Sequence, residues 1–260
     1  MGFLTDIVSQ VRADLRETPL DLARLRERIS SIAPSLDFAG ALDGPGTAVI
    51  AEVKRASPSA GTIAAEADPA SRARAYADAG AACVSVLTER RHFAGSLADM
   101  DAVRTAIGLP VLRKDFLVDA GQLLEARAHG ADAVLLIVAC VDDGALRDLL
   151  AGAAELGLGV LLETHGDDDL ERALATDARV IGVNARDLET LEVDPERARR
   201  QLALVPADRI AVLESGIRTR ADVVSAVEAG ASAILVGETL MRAGDPRRAL
   251  RSLIGEEPET

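Results

Sequence analysis

The chain has 260 residues, 48% of them hydrophobic, and a formal net charge of −13. That length and apolar content suffice for a substantial core, in one large domain or two. The negative charge argues against a general nucleic-acid or membrane-surface binder, because either target would repel it. The longest apolar run, Ala133–Val141 (AVLLIVACV), is too short for the roughly 20 residues that span a bilayer. The N-terminus carries acids early and no apolar stretch beside a cleavage site, so a secretory signal is not expected and a cytoplasmic location is. Cys83 and Cys140 lie inside apolar runs and read as buried thiols, with neither a disulfide nor a metal site expected.

Residues 1–47 precede the first strand candidate and carry two amphipathic helical patterns. Leu4, Ile7, Val8, Val11 and Leu15 share one face, with Thr5 as cap, and Leu22, Leu25, Ile29 and Ile32 form the second. Both faces are expected to be buried on whatever follows. From there, strand candidates alternate with helices. The strands are Ala48–Lys54, Ala82–Thr88, Pro110–Lys114, Ala133–Val138, Gly159–Glu163, Val180–Asn184, Ile210–Glu214 and Ala233–Gly237. Helical periodicity covers Pro69–Ala79, Leu97–Ile107, Asp119–His129, Ala145–Leu156 and Arg220–Ala229. Gly80, Gly108, Gly130, Gly157 and Gly230 stand at or just past their ends. Near-continuous apolar strands alternating with helices mean parallel strands covered by helices. Eight units at spacings of roughly 20 to 34 residues predict an α/β fold, a single (β/α)₈ TIM barrel with an N-terminal helical extension. The expected organisation is 1–47 packed on a barrel of 48–255 as one domain. A doubly wound sheet is the alternative, but it has no reason to stop at eight units.

The active site of such a barrel lies where the strands end. Those ends carry Glu52, Lys54, Lys114, Glu163, Asn184, Glu214–Ser215 and Gly237–Glu238. Side chains alternate across a strand, so Glu52 with Lys54, Leu112 with Lys114, Leu161 with Glu163 and Val212 with Glu214 should face the same way, into one cavity. Lysine is conspicuous here: of 29 basic residues only Lys54 and Lys114 are lysine. Arginine stays protonated, whereas a lysine can give up its proton when desolvated or placed beside another cation. Lysine opposite glutamate in a closed cavity is an acid–base pair. A pair of buried ion pairs stabilising the rim is the bland alternative, and the placement of the only two lysines on strand ends one and three weighs against it.

Glycines at Ser215–Gly216 and Gly237–Glu238 suit backbone approach to a phosphate, whose usual site in this fold is the loops after strands seven and eight. Phe93 and Phe116, in the loops after strands two and three, offer either loop packing or an apolar wall for a flat ring. His92, His129 and His165 show no metal spacing and read as surface or loop residues. Asp167, Asp168 and Asp169 read as a solvated helix start, and Arg55, Arg90 and Arg91 as exposed loop arginines that could steer an anion.

The motifs Ala51–Gly61 (AEVKRASPSAG), Ser85–Leu97 (SVLTE…FAGSL), PVLRKDF, LLETH (Leu161–His165), IGVNARDL (Ile181–Leu188), ESGI (Glu214–Ile217) and LVGETLMR (Leu235–Arg242) stand in the order and spacing of one family. Together they resemble indole-3-glycerol phosphate synthase, a carboxy-lyase of tryptophan biosynthesis. The resemblance implies closure of 1-(2-carboxyphenylamino)-1-deoxyribulose 5-phosphate to an indole with loss of CO₂ and water, with no cofactor or metal. It implies Lys114 as general acid, Glu163 as the base assisting loss of water, and Lys54 beside Glu52 at the anthranilate carboxylate. Asn184, Arg186 and Glu214 would order the pentulose chain and the charge network. Ser57, Ser215, Gly216, Gly237 and Glu238 match substrate- or phosphate-contacting positions, and Phe93, Phe116, Leu135 and Leu235 an aromatic pocket. The chain departs from the family at Ala60, where many members have lysine, at Asp119-Ala120-Gly121-Gln122, and at Ala185, which bears on loop dynamics more than on reaction type. A small phosphorylated substrate is the expected partner, with neither nucleic acid nor membrane, and a monomer or a weak homodimer. Two other readings stay open: another phosphate-binding barrel such as phosphoribosylanthranilate isomerase, and a non-catalytic barrel that binds a phosphorylated ligand or partner.

Overall fold

A computed structural model describes residues 2–256. Eight parallel strands close into a barrel. They are β1 (Ala48–Val53), β2 (Cys83–Leu87), β3 (Val111–Lys114), β4 (Ala133–Ile137), β5 (Gly159–Thr164), β6 (Val180–Asn184), β7 (Ile210–Glu214) and β8 (Ala233–Val236). Each strand pairs with its neighbours in sequence, and β8 returns to β1 through Ile50↔Leu235. The strands are buried on both sides, which is why they read as apolar runs rather than as alternating patterns. Boundaries fall within a residue or two of expectation.

The barrel is wrapped by α4 (Pro69–Asp78), α5 (Leu97–Ala106), α6 (Ala120–Ala128), α7 (Asp143–Glu155), α8 (Asp167–Leu174), α9 (Pro195–Leu202), α10 (Arg220–Glu228), α11 (Glu238–Arg242) and α12 (Pro246–Ile254). Three of them start on an Asp-Pro pair, the aspartate capping and the proline at the first helical turn: Asp68-Pro69, Asp194-Pro195 and Asp245-Pro246. Asp119 and Gln122 form a capping box on α6. Of the glycine stop signals, Gly130 adopts the left-handed turn (φ 79°) that ends α6. Gly108 does not; α5 ends instead on an extended Ile107.

Ahead of the barrel come α1 (Phe3–Glu17), α2 (Leu22–Ser30) and α3 (Phe38–Leu42). Leu4, Ile7 and Val8 of α1 are buried, and Arg12 donates to the Cys140 carbonyl. The expected Thr5 cap is not there. The helix starts at Phe3 behind Gly2, with no side-chain cap, and the Thr5 hydroxyl, already inside the helix, turns to Glu189. Nor is the α2 face buried as expected: none of its residues is fully enclosed and Leu22 is 39% exposed, because α2 only rests on the outer helix α6, over Gly121. The short α3 went unpredicted. Its Phe38 and Leu42 plug the N-terminal end of the barrel, Phe38 occupying the space where Gly159 lacks a side chain. Both cysteines are free and buried, and burial pushes the Cys140 thiol up to about 12. Among the described residues no helix is long and apolar enough to cross a membrane.

Candidate active site

The parity of the strands delivers Glu52, Lys114, Leu135, Glu163, Asn184, Glu214 and Leu235 to the inside of the C-terminal rim, around a cavity of about 290 Å³. Lys54, just past β1, joins them and lies 2.7 Å from Glu52. Lys114 Nζ donates to Glu163 Oε2 at 3.1 Å and lies 3.4 Å from Glu214 Oε2. Asn184 Nδ2 donates to the other oxygen, Glu163 Oε1, at 3.1 Å. Two missing side chains make room for these carboxylates. A Cβ on Gly182 would sit 2.3 Å from Glu214 Oε1, and one on Gly237 would sit 2.1 Å from Glu52 Oε1. Gly237 therefore serves the Glu52–Lys54 pair, besides any turn it makes for a phosphate.

Three carboxylates around one ammonium settle the protonation pattern. Burial alone would push Lys114 down, but Glu163, Glu214 and Glu52 outweigh it and hold the ammonium well above the ordinary lysine range. Burial likewise opposes a charge on Glu163, yet Lys114, together with His165 and Asn184, holds that carboxyl well below the usual range. Burial and the neighbouring Glu163 charge push Glu214 the other way, above the usual carboxyl range. The Lys114–Glu163 ion pair thus lies beside a carboxyl whose ionisation is opposed.

One wall of the cavity is apolar. Phe93 and Phe116 face each other with ring centroids 6.4 Å apart, and Leu135 and Leu235 lie beside them. Gly95 brings the Phe93 loop down onto β2: a Cβ there would meet the Leu87 carbonyl oxygen at 2.2 Å. Ser57 lies in a small hairpin, Ala56–Ser57 with Gly61–Thr62, that was not expected, and its hydroxyl accepts from Ala60 N–H. At the opposite side the chain turns through two consecutive left-handed residues, Ser215 (φ 66°) and Gly216 (φ 80°). A non-glycine residue there is strained by about 1–3 kcal/mol, a feature that clusters at ligand sites. Gly237 and Glu238 open α11 beside them, although the Glu238 carboxylate is taken by Arg242 at 2.9 Å. Arg186 reaches the cavity while donating to the Leu191 carbonyl, and its N–H donates to Asn184 Oδ1.

Every site residue expected from the sequence lines this one cavity. Several others were missed. Phe3, from α1, enters it, and so do Arg218 and Arg242. His165 is not a surface residue: it is buried, with Nε2 2.9 Å from Glu163 Oε1, because it continues the inward parity of β5 one step past the strand. That parity was the available signal. Asp169 is not simply solvated either, since it accepts from the His165 N–H at 3.2 Å. Arg91 is exposed as expected, paired with Asp14, whereas Arg55 is part-buried against Asp99. Arg113, of opposite parity to Lys114, is buried outside the barrel between Asp115 and Glu125.

Fold and site together define a (β/α)₈-barrel enzyme whose rim presents a buried lysine–glutamate pair beside an apolar wall. The family model described as indole-3-glycerol phosphate synthase matches residues 4–253. The indole-3-glycerol phosphate synthase of Mycobacterium avium is 51% identical over 96% of this chain and 93% of its own length. Indole-3-glycerol phosphate synthase 1 of Streptomyces coelicolor is 50% identical over 99% of this chain and 97% of its own. Among solved structures, 3-hexulose-6-phosphate synthase superposes with a TM-score of 0.64 at 19% identity, over 82% of this chain and all of that one, a likeness of fold alone. The chain belongs to the indole-3-glycerol phosphate synthase family of carboxy-lyases.

Proposed function

We propose that the cavity closes 1-(2-carboxyphenylamino)-1-deoxyribulose 5-phosphate to indole-3-glycerol phosphate, with Lys114 as general acid and Glu163 as base. The observation that carries the roles is the Lys114–Glu163 pair at 3.1 Å, buried beside the Phe93–Phe116 wall. The aromatic ring lies on that wall, and its carboxylate meets Lys54, which Glu52 holds in place. The ring carbon attacks the ketone while Lys114 protonates the ketone oxygen. The carbon–carboxylate bond then breaks, its electrons restoring the aromatic ring as CO₂ leaves. The new hydroxyl takes a second proton from the recharged Lys114 and departs as water, and Glu163 takes a proton from the methylene carbon, whose electrons form the last ring double bond. Asn184 and Glu214 orient this pair, and Ser57 and Arg186 order the pentulose chain. The phosphate takes the backbone N–H groups of the Ser215–Gly216 turn and of Gly237–Glu238.

Residues 1–47 belong to the same domain as 48–255, a reading supported by Phe38 and Leu42 in the barrel floor and Phe3 at the cavity. A monomer in the cytoplasm, or a weak homodimer, fits a site that one chain completes. The test is the rise of indole fluorescence on adding the synthetic substrate to the purified protein. Binding without turnover would make this a ligand-binding barrel.

A further inference from the structure

Proton bookkeeping for this reaction leaves one proton unaccounted for, and the structure holds a route for it. The ketone oxygen leaves as water and so needs two protons. Only one comes from the substrate, from its methylene carbon. Lys114 gives the first at ring closure and is then a neutral amine. It must be recharged before the hydroxyl can leave, while the substrate still fills the cavity. One proton per turnover must therefore enter from solvent, and a path behind the pair would deliver it while the substrate fills the cavity mouth.

His165 stands on that path. Its Nε2 lies 2.9 Å from Glu163 Oε1, on the far side of the carboxylate from Lys114, which takes Oε2. The ring is buried, yet it lines a second cavity outside the barrel, of about 440 Å³, between α1 and the loops after β4, β5 and β6. Neither ring nitrogen has an aligned hydrogen bond, despite the short separation from Oε1, and both are covered, so a small tilt of the ring toward the second cavity is what brings Nδ1 to water. Nδ1 lies 3.9 Å from Asp169 Oδ2 on α8, itself 3.8 Å from Arg172. The other charged and titratable groups facing the second cavity are Arg12 and Arg16 on α1, Cys140 in the turn after β4, and Asp187 and Glu189 after β6.

We propose that His165 is a positioning residue behind Glu163 that relays the solvent proton consumed in each turnover from the second cavity to the Lys114–Glu163 pair. Water in that cavity protonates Nδ1, Nε2–H passes its proton to Glu163 Oε1, and the carboxyl group, neutral for that moment, turns to present the same proton to the Lys114 amine. The imidazole is left neutral with its proton on Nδ1 and is reset by exchange with water. Nothing is oxidised or reduced, and the relay adds the single proton that the overall equation lacks. It rests on the proposed roles of Lys114 and Glu163.

The experiment compares His165→Gln and His165→Ala with the parent protein, using the synthetic substrate. The expected result is a kcat lowered by roughly 10- to 100-fold, less than the 10²–10⁴ of a direct acid or base, with KM little changed. The kcat of each variant should depend on buffer concentration, and added imidazole, small enough for the second cavity, should restore His165→Ala. A parental kcat in His165→Gln, independent of buffer, overturns the relay. A loss that neither buffer nor imidazole alters overturns it too, as a packing effect that the melting temperature would also report. Glu163→Gln is the control: if it turns over normally, the reading of Glu163 as base fails, whereas an inactive Glu163→Gln beside normal His165 variants removes the relay alone.

Discussion

Lys114 and Glu163 meet over the end of a strand that contributes to neither: β3 and β5 flank β4, and the 3.1 Å contact from Nζ to Oε2 passes above it. The ammonium is held by carboxylates on separate strands, with Glu214 on the third side at 3.4 Å. It is thereby kept charged until a substrate oxygen offers it a better place for the proton.

Replacing Lys114 by arginine should therefore be nearly as damaging as replacing it by alanine. Arginine keeps the charge but cannot give up its proton, and the guanidinium fork has no room among carboxylates that already fill the spaces at Gly182 and Gly237. Positioned acid catalysis typically contributes roughly 10²–10⁴ in rate. Steady-state kinetics of the two variants decides it, and near-normal turnover by Lys114→Arg would show that only charge matters there.

Adding one methyl group at Gly237 tests the second lysine. Its φ of −121° lies outside the left-handed region that favours glycine, so φ is not the obstacle. The new Cβ would displace the Glu52 carboxylate and crowd Lys54 Nζ at 3.1 Å. A misplacement of about 1 Å near reacting groups can cost roughly 10²-fold in rate. Gly237→Ala should lose activity on that scale while its melting temperature stays within a few degrees of the parent. Full activity would mean the Glu52–Lys54 pair is dispensable.

Most of the barrel was legible because its signals are local. Apolar runs of strand length, Asp-Pro starts and parity at strand ends each act over a few residues, and they bring the six catalytic candidates into one cavity. What escaped depends on distant neighbours. Phe38 looks like any loop phenylalanine until Gly159, 121 positions later, leaves a space for it. Phe3 sits in α1, whose pattern shows an apolar face but not what that face covers. His165 shares the parity of Leu161 and Glu163, but the apolar run that marks the strand ends before it. The exposure of α2 could not be read at all, because an apolar periodicity says which face is inward and not how deeply it sinks.

An anion should bind at the strained turn. Ser215 and Gly216 stand side by side in the left-handed region, next to Gly237 at the start of α11. Diffraction from crystals soaked in inorganic phosphate should show the ion accepting from backbone N–H groups of both turns. Phosphate found only at surface arginines would sink the assignment.

Glu214 gives a pH signature. Its carboxyl titrates higher in the folded protein than in the unfolded chain, because burial and the Glu163 charge oppose ionisation. The stability it contributes is complete below the unfolded carboxyl range near 4.3 and is lost as pH rises towards the folded value. Glu214→Gln mimics the protonated form and carries no such loss. The melting temperature of the variant relative to the parent should rise between about pH 5 and pH 8, by roughly 2–4 °C for each kcal/mol removed. A difference that stays flat across that range would mean Glu214 is ionised in the folded state.

Glu163→Gln isolates the base. The carboxylate is buried, held ionised by Lys114, and shared between Asn184 and Lys114 on its two oxygens. Glutamine preserves the size and can still accept from Lys114, but it takes no proton from the substrate. The proposed proton transfer follows ring closure, so binding and the first bond-forming step do not depend on it. Substrate affinity should change little while kcat falls by roughly 10²-fold or more, the pattern of an interaction made mainly in the transition state. Single-turnover kinetics should show CO₂ released before the block and indole fluorescence delayed. A raised KM with unchanged kcat would recast Glu163 as a binding residue.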